Sequence, residues 1–104
     1  AHAIGFLASD APVHMLELAD QIGATYYFRV TGASDGPLWG TDVYTGDSNI
    51  AVAVVHAGAV KIGEQAIIKV TVVAPAPRYQ GSIRNGVASH DFGRFVTAFR
   101  VERV

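Results

Sequence analysis

Asn49-Ile50-Ala51-Val52-Ala53-Val54-Val55-His56-Ala57, followed by Gly58, is the stretch on which the fold turns. It is apolar on nearly every side. Asp47 or Ser48 before it can accept a backbone N–H as a helix cap, and Gly58 can end it at positive φ. This pattern reads as a short α-helix whose β-branched valines give only modest helix propensity, so packing has to hold it. A helix with so little polar surface must be enclosed by the rest of the chain. Its one polar stripe runs along Asn49, Ala53 and His56.

Outward from this helix the chain reads as strands. Thr25 to Thr31 alternates, with Tyr26, Phe28 and Val30 on one face and Thr25, Tyr27, Arg29 and Thr31 on the other. Gln65 to Val73 repeats the pattern and places Ala66, Ile68, Val70 and Val72 together. Phe95 to Val101 alternates as a C-terminal strand, and Leu38 to Tyr44 is read as a fourth. Asp10 to Ile22 fits either a short helix or a strand, since Pro12 precedes Met15, Leu16, Leu18 and Ala19; the strand is the reading adopted. Eleven glycines fall mostly between these segments, as tight turns in a β-rich chain require. The expected fold class is α+β, with β-sheets in an open sandwich wrapped around one central buried α-helix.

Composition bounds the function classes. The chain has 104 residues, enough for one domain taken as 1–104, and half of them are hydrophobic. Eight Lys+Arg against nine Asp+Glu leave a net charge of -1, which argues against a nucleic-acid binder and against an acidic disordered tail. With no cysteine, a disulfide scaffold, a thiol nucleophile and a Cys-type zinc site are excluded. No run approaches the roughly 18 apolar residues of a transmembrane helix.

Three segments together carry a resemblance. They are Trp39-Gly40-Thr41-Asp42-Val43-Tyr44-Thr45 with Asp47-Ser48, then Ala53-Val54-Val55-His56-Ala57-Gly58-Ala59-Val60, then Tyr79-Gln80-Gly81-Ser82 with Asn85-Gly86-Val87, Ser89 and Gly93. In this order they resemble the LCCL domain family over about residues 26–101, leaving 1–24 outside the clearest match. The resemblance implies a central helix clasped by sheets. It also implies a non-catalytic binding or adhesion module, secreted or periplasmic, whose ligand is a glycan, a lipid or lipopolysaccharide, or a protein. Animal members carry disulfide cysteines; this chain has none and is similar to bacterial members.

The candidate residues follow from this reading. Ligand contacts are expected from the 78–95 loop and its surroundings: Arg78, Arg84, Asn85 and His90 as polar contacts, Trp39 and Phe92 as apolar ones. Arginines beside aromatic faces suit a phosphate or a sulfated or acidic sugar, and Tyr44, Tyr79 and Phe95 could extend the aromatic platform. His56, Gly58, Gly81, Gly86 and Gly93 are read as structural, with Asn85-Gly86 as a tight turn. Neither His2, His14, His90 and Asp91 as metal ligands nor Ser82, Ser89, His90 and Asp91 as a hydrolytic triad has the spacing such sites need, so no catalytic residue, metal or cofactor is expected. Two other readings are carried. One is an assembly subunit pairing through Phe95 to Val101 as an edge strand; the other is a small hydrolase, which needs His56 or His90 accessible.

Overall fold

The computed structural model describes residues 8–104. Strands β1 (Ser9–Asp10), β2 (Thr25–Thr31), β3 (Gly40–Thr41) and β4 (Val43–Thr45) precede helix α1 (Ile50–His56). Strands β5 (Gln65–Val73), β6 (Ile83–Arg84), β7 (Val87–Ala88) and β8 (Ala98–Arg103) follow it. Six strands make one sheet in the order β1-β2-β5-β8-β4-β3, while β6 and β7 form a separate ribbon. The fold is α+β.

Register explains why the helix has a place to sit. Antiparallel pairing sets Phe28 opposite Ile68 and Tyr26 opposite Val70, then Val70 opposite Val101 and Val72 opposite Phe99. Because side chains alternate across a strand, these pairings gather the apolar residues of three strands on one face. Helix α1 packs on that face against β2 and β8, and ribbon strand β7 also packs against the helix. Ile50, Val52, Ala53, Val54, Val55 and His56 are buried, leaving only Ala51 half-exposed. A seven-residue helix would not persist alone. Transfer of each buried Val or Ile from water, worth about 1.5–3 kcal/mol, supplies what propensity does not.

The helix ends were legible at one end and shifted at the other. Gly58 has φ 84, its N–H bonds the Val55 carbonyl, and the Ala59 N–H bonds the Val54 carbonyl, the paired closure of a Schellman motif. The cap, however, is Asn49 instead of Asp47 or Ser48. Its Oδ1 accepts the Val52 N–H at 3.2 Å, while the Ser48 hydroxyl is occupied by the Trp39 N–H at 3.0 Å and by Thr45 Oγ1 at 2.8 Å. Asn49→Ala is expected to cost about 1 kcal/mol in urea unfolding, because it removes that acceptor and leaves the backbone as it is.

Three strand expectations need correction. Beyond β1 the segment to Ile22 is a series of turns: the Leu18 and Ala19 N–H groups both bond the Met15 carbonyl, and Met15 and Ala19 plug the core one helical turn apart. Leu38 to Tyr44 is broken by Asp42, whose φ of 67 folds β3 back on β4. The C-terminal strand starts at Ala98, and it is no edge. Phe99 is paired with Val72 on one side and Tyr44 on the other, which removes the motivation for assembly through this strand. Among the described residues the sheet's edges are β1 and β3, two residues each, a length that discourages strand addition.

Candidate functional site

The helix delivers His56 into a closed hydrogen-bond chain. The ring is fully buried, with Nδ1 2.9 Å from the Tyr44 hydroxyl and Nε2 3.1 Å from the Ser82 carbonyl oxygen. A carbonyl can only accept, so Nε2 carries the proton and, in the neutral ring, Nδ1 accepts from Tyr44. The Ser82 hydroxyl lies 3.2 Å from the same Nε2 and 2.6 Å from Thr41 Oγ1, which in turn donates to the Gln80 carbonyl at 2.8 Å. Protons thus point one way, from Tyr44 through His56, Ser82 and Thr41 to Gln80. This arrangement leaves Nε2 no lone pair with which to activate Ser82. It ties β4, α1 and the 80–82 segment together instead.

Tyr44 sets a pH dependence. Burial pushes its phenol up to about 12, an effect only partly offset by the Asp42 backbone amide. A folded value above the unfolded value of about 10 means that the stabilisation is complete below pH 10 and is lost as pH rises towards 12. The stability difference between the wild type and Tyr44→Phe, read from urea midpoints, is expected to shrink by roughly 2–3 kcal/mol across that window.

Above this hydrogen-bond chain, residues 79–92 make up most of the 78–95 loop expected to carry the ligand contacts. Its stem is held by Tyr79 pairing with Phe92 and by His90 bridging Trp39. Asn85 and Gly86, at φ 54 and 77, turn β6 into β7, and Asn85 Nδ2 donates to the His56 carbonyl at 3.0 Å. The ribbon is therefore pinned to the helix C-terminus. Gly81 is needed for close approach, since a Cβ there would lie 2.6 Å from the Ser89 carbonyl oxygen. Nothing in the structure explains Gly93, where a Cβ would meet open space.

The expected contact residues divide into two neighbouring places. Arg78 and Arg84 line one cleft of about 430 Å³ together with Thr41, Val43, Gln80 and Ser82. Arg84 is oriented by Asp42, 2.7 Å away, an exposed pair that positions more than it stabilises. Trp39, Phe92 and Phe95 form an edge-to-face cluster with centroids 6.2 and 5.9 Å apart, in which Phe92 is 41% exposed and Trp39 half-buried. Phe95 also joins Pro75, Pro77, Arg94 and Val96 around a cleft of about 330 Å³, and Ala76 borders both clefts. Tyr44 and Tyr79 are buried and take no part in an aromatic surface. Asn85 lines a different cleft, beside Lys61, Glu64 and Arg103, while His90 is exposed.

The structure also settles where the other groupings fall. Asp91 accepts the Gly81 N–H and Ser89 accepts the Ser82 N–H, so the residues weighed as a triad serve the loop backbone. His14 Nδ1 accepts the Leu16 N–H, His2 lies outside the described residues, and among the described residues no cluster of three metal-ligating side chains occurs. Thr41 and Ser82 on the cleft floor were not among the sequence-derived ligand contacts. Their pairing spans 41 positions and no local pattern announces it.

The LCCL domain profile matches residues 18–99, a span that contains α1, the Tyr44–His56–Ser82 chain and the whole 78–95 loop. The chain belongs to the LCCL domain family. LCCL domains are generally binding modules without catalysis. Over 67 residues this domain is 37% identical to the human "Cysteine-rich secretory protein LCCL domain-containing 2", covering 62% of this chain and 14% of that protein. Over 59 residues it is 32% identical to the "Transcriptional regulatory protein rxt3" of Schizosaccharomyces pombe, covering 53% of this chain and 17% of that one. The chain thus spans only a small part of the length of both relatives, and their names describe different kinds of protein. Among the described residues no helix is long and apolar enough to cross a membrane.

Proposed function

We propose that this LCCL domain is a non-catalytic binding module, secreted or periplasmic, that meets a glycan, a lipid or lipopolysaccharide, or a protein through the 78–95 loop. The observation that carries the reading is the contrast between the two faces of one hydrogen-bond chain. At its inner end His56 is enclosed and committed to Tyr44 and Ser82; at its outer end a cleft opens between Arg78 and Arg84. Chemistry is sealed and recognition groups are exposed. In this reading His56, Gly58, Gly81 and Gly86 hold the loop, Arg78 and Arg84 supply polar contacts, and Phe92 with Trp39 supplies the apolar one.

Binding to arrayed glycans, phospholipid vesicles and immobilised lipopolysaccharide tests this. Arg84→Ala and Phe92→Ala are each expected to weaken the detected interaction by about tenfold, the scale of losing one charge-assisted or aromatic contact. Unaltered affinity in both variants would remove the loop as the binding face.

A further inference from the structure

The floor and the wall of the Arg78/Arg84 cleft have opposite hydrogen-bond polarity. On the floor, Thr41 Oγ1 gives its proton to the Gln80 carbonyl and Ser82 Oγ gives its own to Thr41, while Ser82 receives from His56 Nε2. Each hydroxyl has committed its only proton and retains one lone pair. The floor can therefore accept hydrogen bonds from a ligand but not give them. On the wall, Arg78 makes no ion pair among the described residues, and Arg84 commits one nitrogen to Asp42. A guanidinium only donates, and its other N–H groups remain for a ligand.

A matching ligand must bring anionic oxygens to the arginines and hydroxyl protons to the floor at once. Sulfate brings the first alone and would turn lone pairs towards lone pairs. A neutral sugar brings the second alone and leaves Arg78 unanswered. Charge sets the valence: Asp42 offsets Arg84 and leaves the charge of Arg78 unbalanced among the lining residues, so one negative charge on the ligand suits the site. Val43 and Ala76 give the lining its apolar component, against which the C–H face of a sugar ring can lie. The volume of about 430 Å³ falls within the small-ligand range of roughly 300–1,000 Å³.

We propose that this cleft is a site for a carboxylate-bearing saccharide of the uronic-acid type. The carboxylate lies on Arg78 and Arg84, and ring hydroxyls donate to Thr41 Oγ1 and Ser82 Oγ. The proposal rests on the binding-module reading and narrows its ligand. His56 is the positioning residue, because its Nε2 proton fixes the Ser82 hydroxyl in the accepting orientation.

The experiment is an NMR titration of the full ¹⁵N-labelled chain with sodium D-glucuronate, D-glucose and sodium sulfate at constant ionic strength, following the amides of residues 80–84. Saturable shifts are expected with glucuronate, and binding about tenfold or more weaker with either glucose or sulfate. Arg78→Gln, an exposed position, should weaken glucuronate by a similar factor with the rest of the spectrum unchanged. Ser82→Ala should weaken glucuronate and leave sulfate where it was. Equal binding of sulfate and glucuronate, silence at residues 80–84, or indifference to Arg78→Gln would each overturn the saccharide site. If those results came alongside a ligand that needs Arg84 and Phe92, the binding-module reading would stand without it. If glucuronate and every surface in the wider screen were silent, both would fall.

Discussion

His56→Ala is expected to lower the unfolding free energy by about 3–5 kcal/mol, a large part of what a domain of this size has. Two losses combine. The ring is fully buried, so truncation opens a cavity at the centre of the core. It also orphans the Tyr44 hydroxyl, which costs about 1–3 kcal/mol when left unpaired in the interior, while the Ser82 carbonyl keeps the Ser89 N–H. Urea unfolding followed by tyrosine fluorescence or circular dichroism gives the value. A loss below about 1 kcal/mol would mean that the ring is not enclosed as described.

Gly81→Ala should be the most damaging change in the loop. An added Cβ would sit 2.6 Å from the Ser89 oxygen, 2.7 Å from the His90 carbonyl carbon and 2.9 Å from the Asp91 nitrogen. All three are backbone atoms, so no rotamer change relieves the contact and residues 89–91 must move. That movement breaks the bonds from the Gly81 N–H to Asp91 and from the Ser89 N–H to the Ser82 carbonyl. An expected cost of about 2–3 kcal/mol follows from overpacking of this kind, together with loss of ligand binding at the Arg78/Arg84 cleft. Gly93→Ala provides the contrast. With open space around its Cβ it should change stability by less than about 0.5 kcal/mol.

Local physics made much of this fold legible. The period-two patterns over 25–31 and 65–73 coincide with β2 and β5, because in each strand one face is turned to the core and the other is not. The helix could be read from its apolar run and its terminal glycine. Its cap was displaced to Asn49 because Ser, Asp and Asn are equivalent cap formers, and only the backbone decides which one holds the last extended position. Asp10 to Ile22 was misread where spacing offered the answer: Met15 and Ala19 are four apart, as in one helical turn, and both face the core. The interior position of β8 could not be read, since strand order is a property of the whole chain.

The site was legible in part for the same reason. Arg78 and Arg84 are close in sequence on one loop and share a cleft. Thr41 and Ser82 meet only because β3 and the 80–82 segment converge over the helix terminus, and hydroxyl residues are too common for either to stand out. Asn85 was rightly taken as a turn former, yet its side chain serves the helix end and lines another cleft.

The direct test of a recognition domain built over a sealed histidine is the protonation pattern of the His56 ring in solution. A long-range ¹H–¹⁵N spectrum of the folded chain at neutral pH should show a slowly exchanging proton on Nε2 and a bare Nδ1 facing the Tyr44 hydroxyl. A proton on Nδ1, with a bare Nε2 aimed at Ser82, would describe a poised base and would contradict the account.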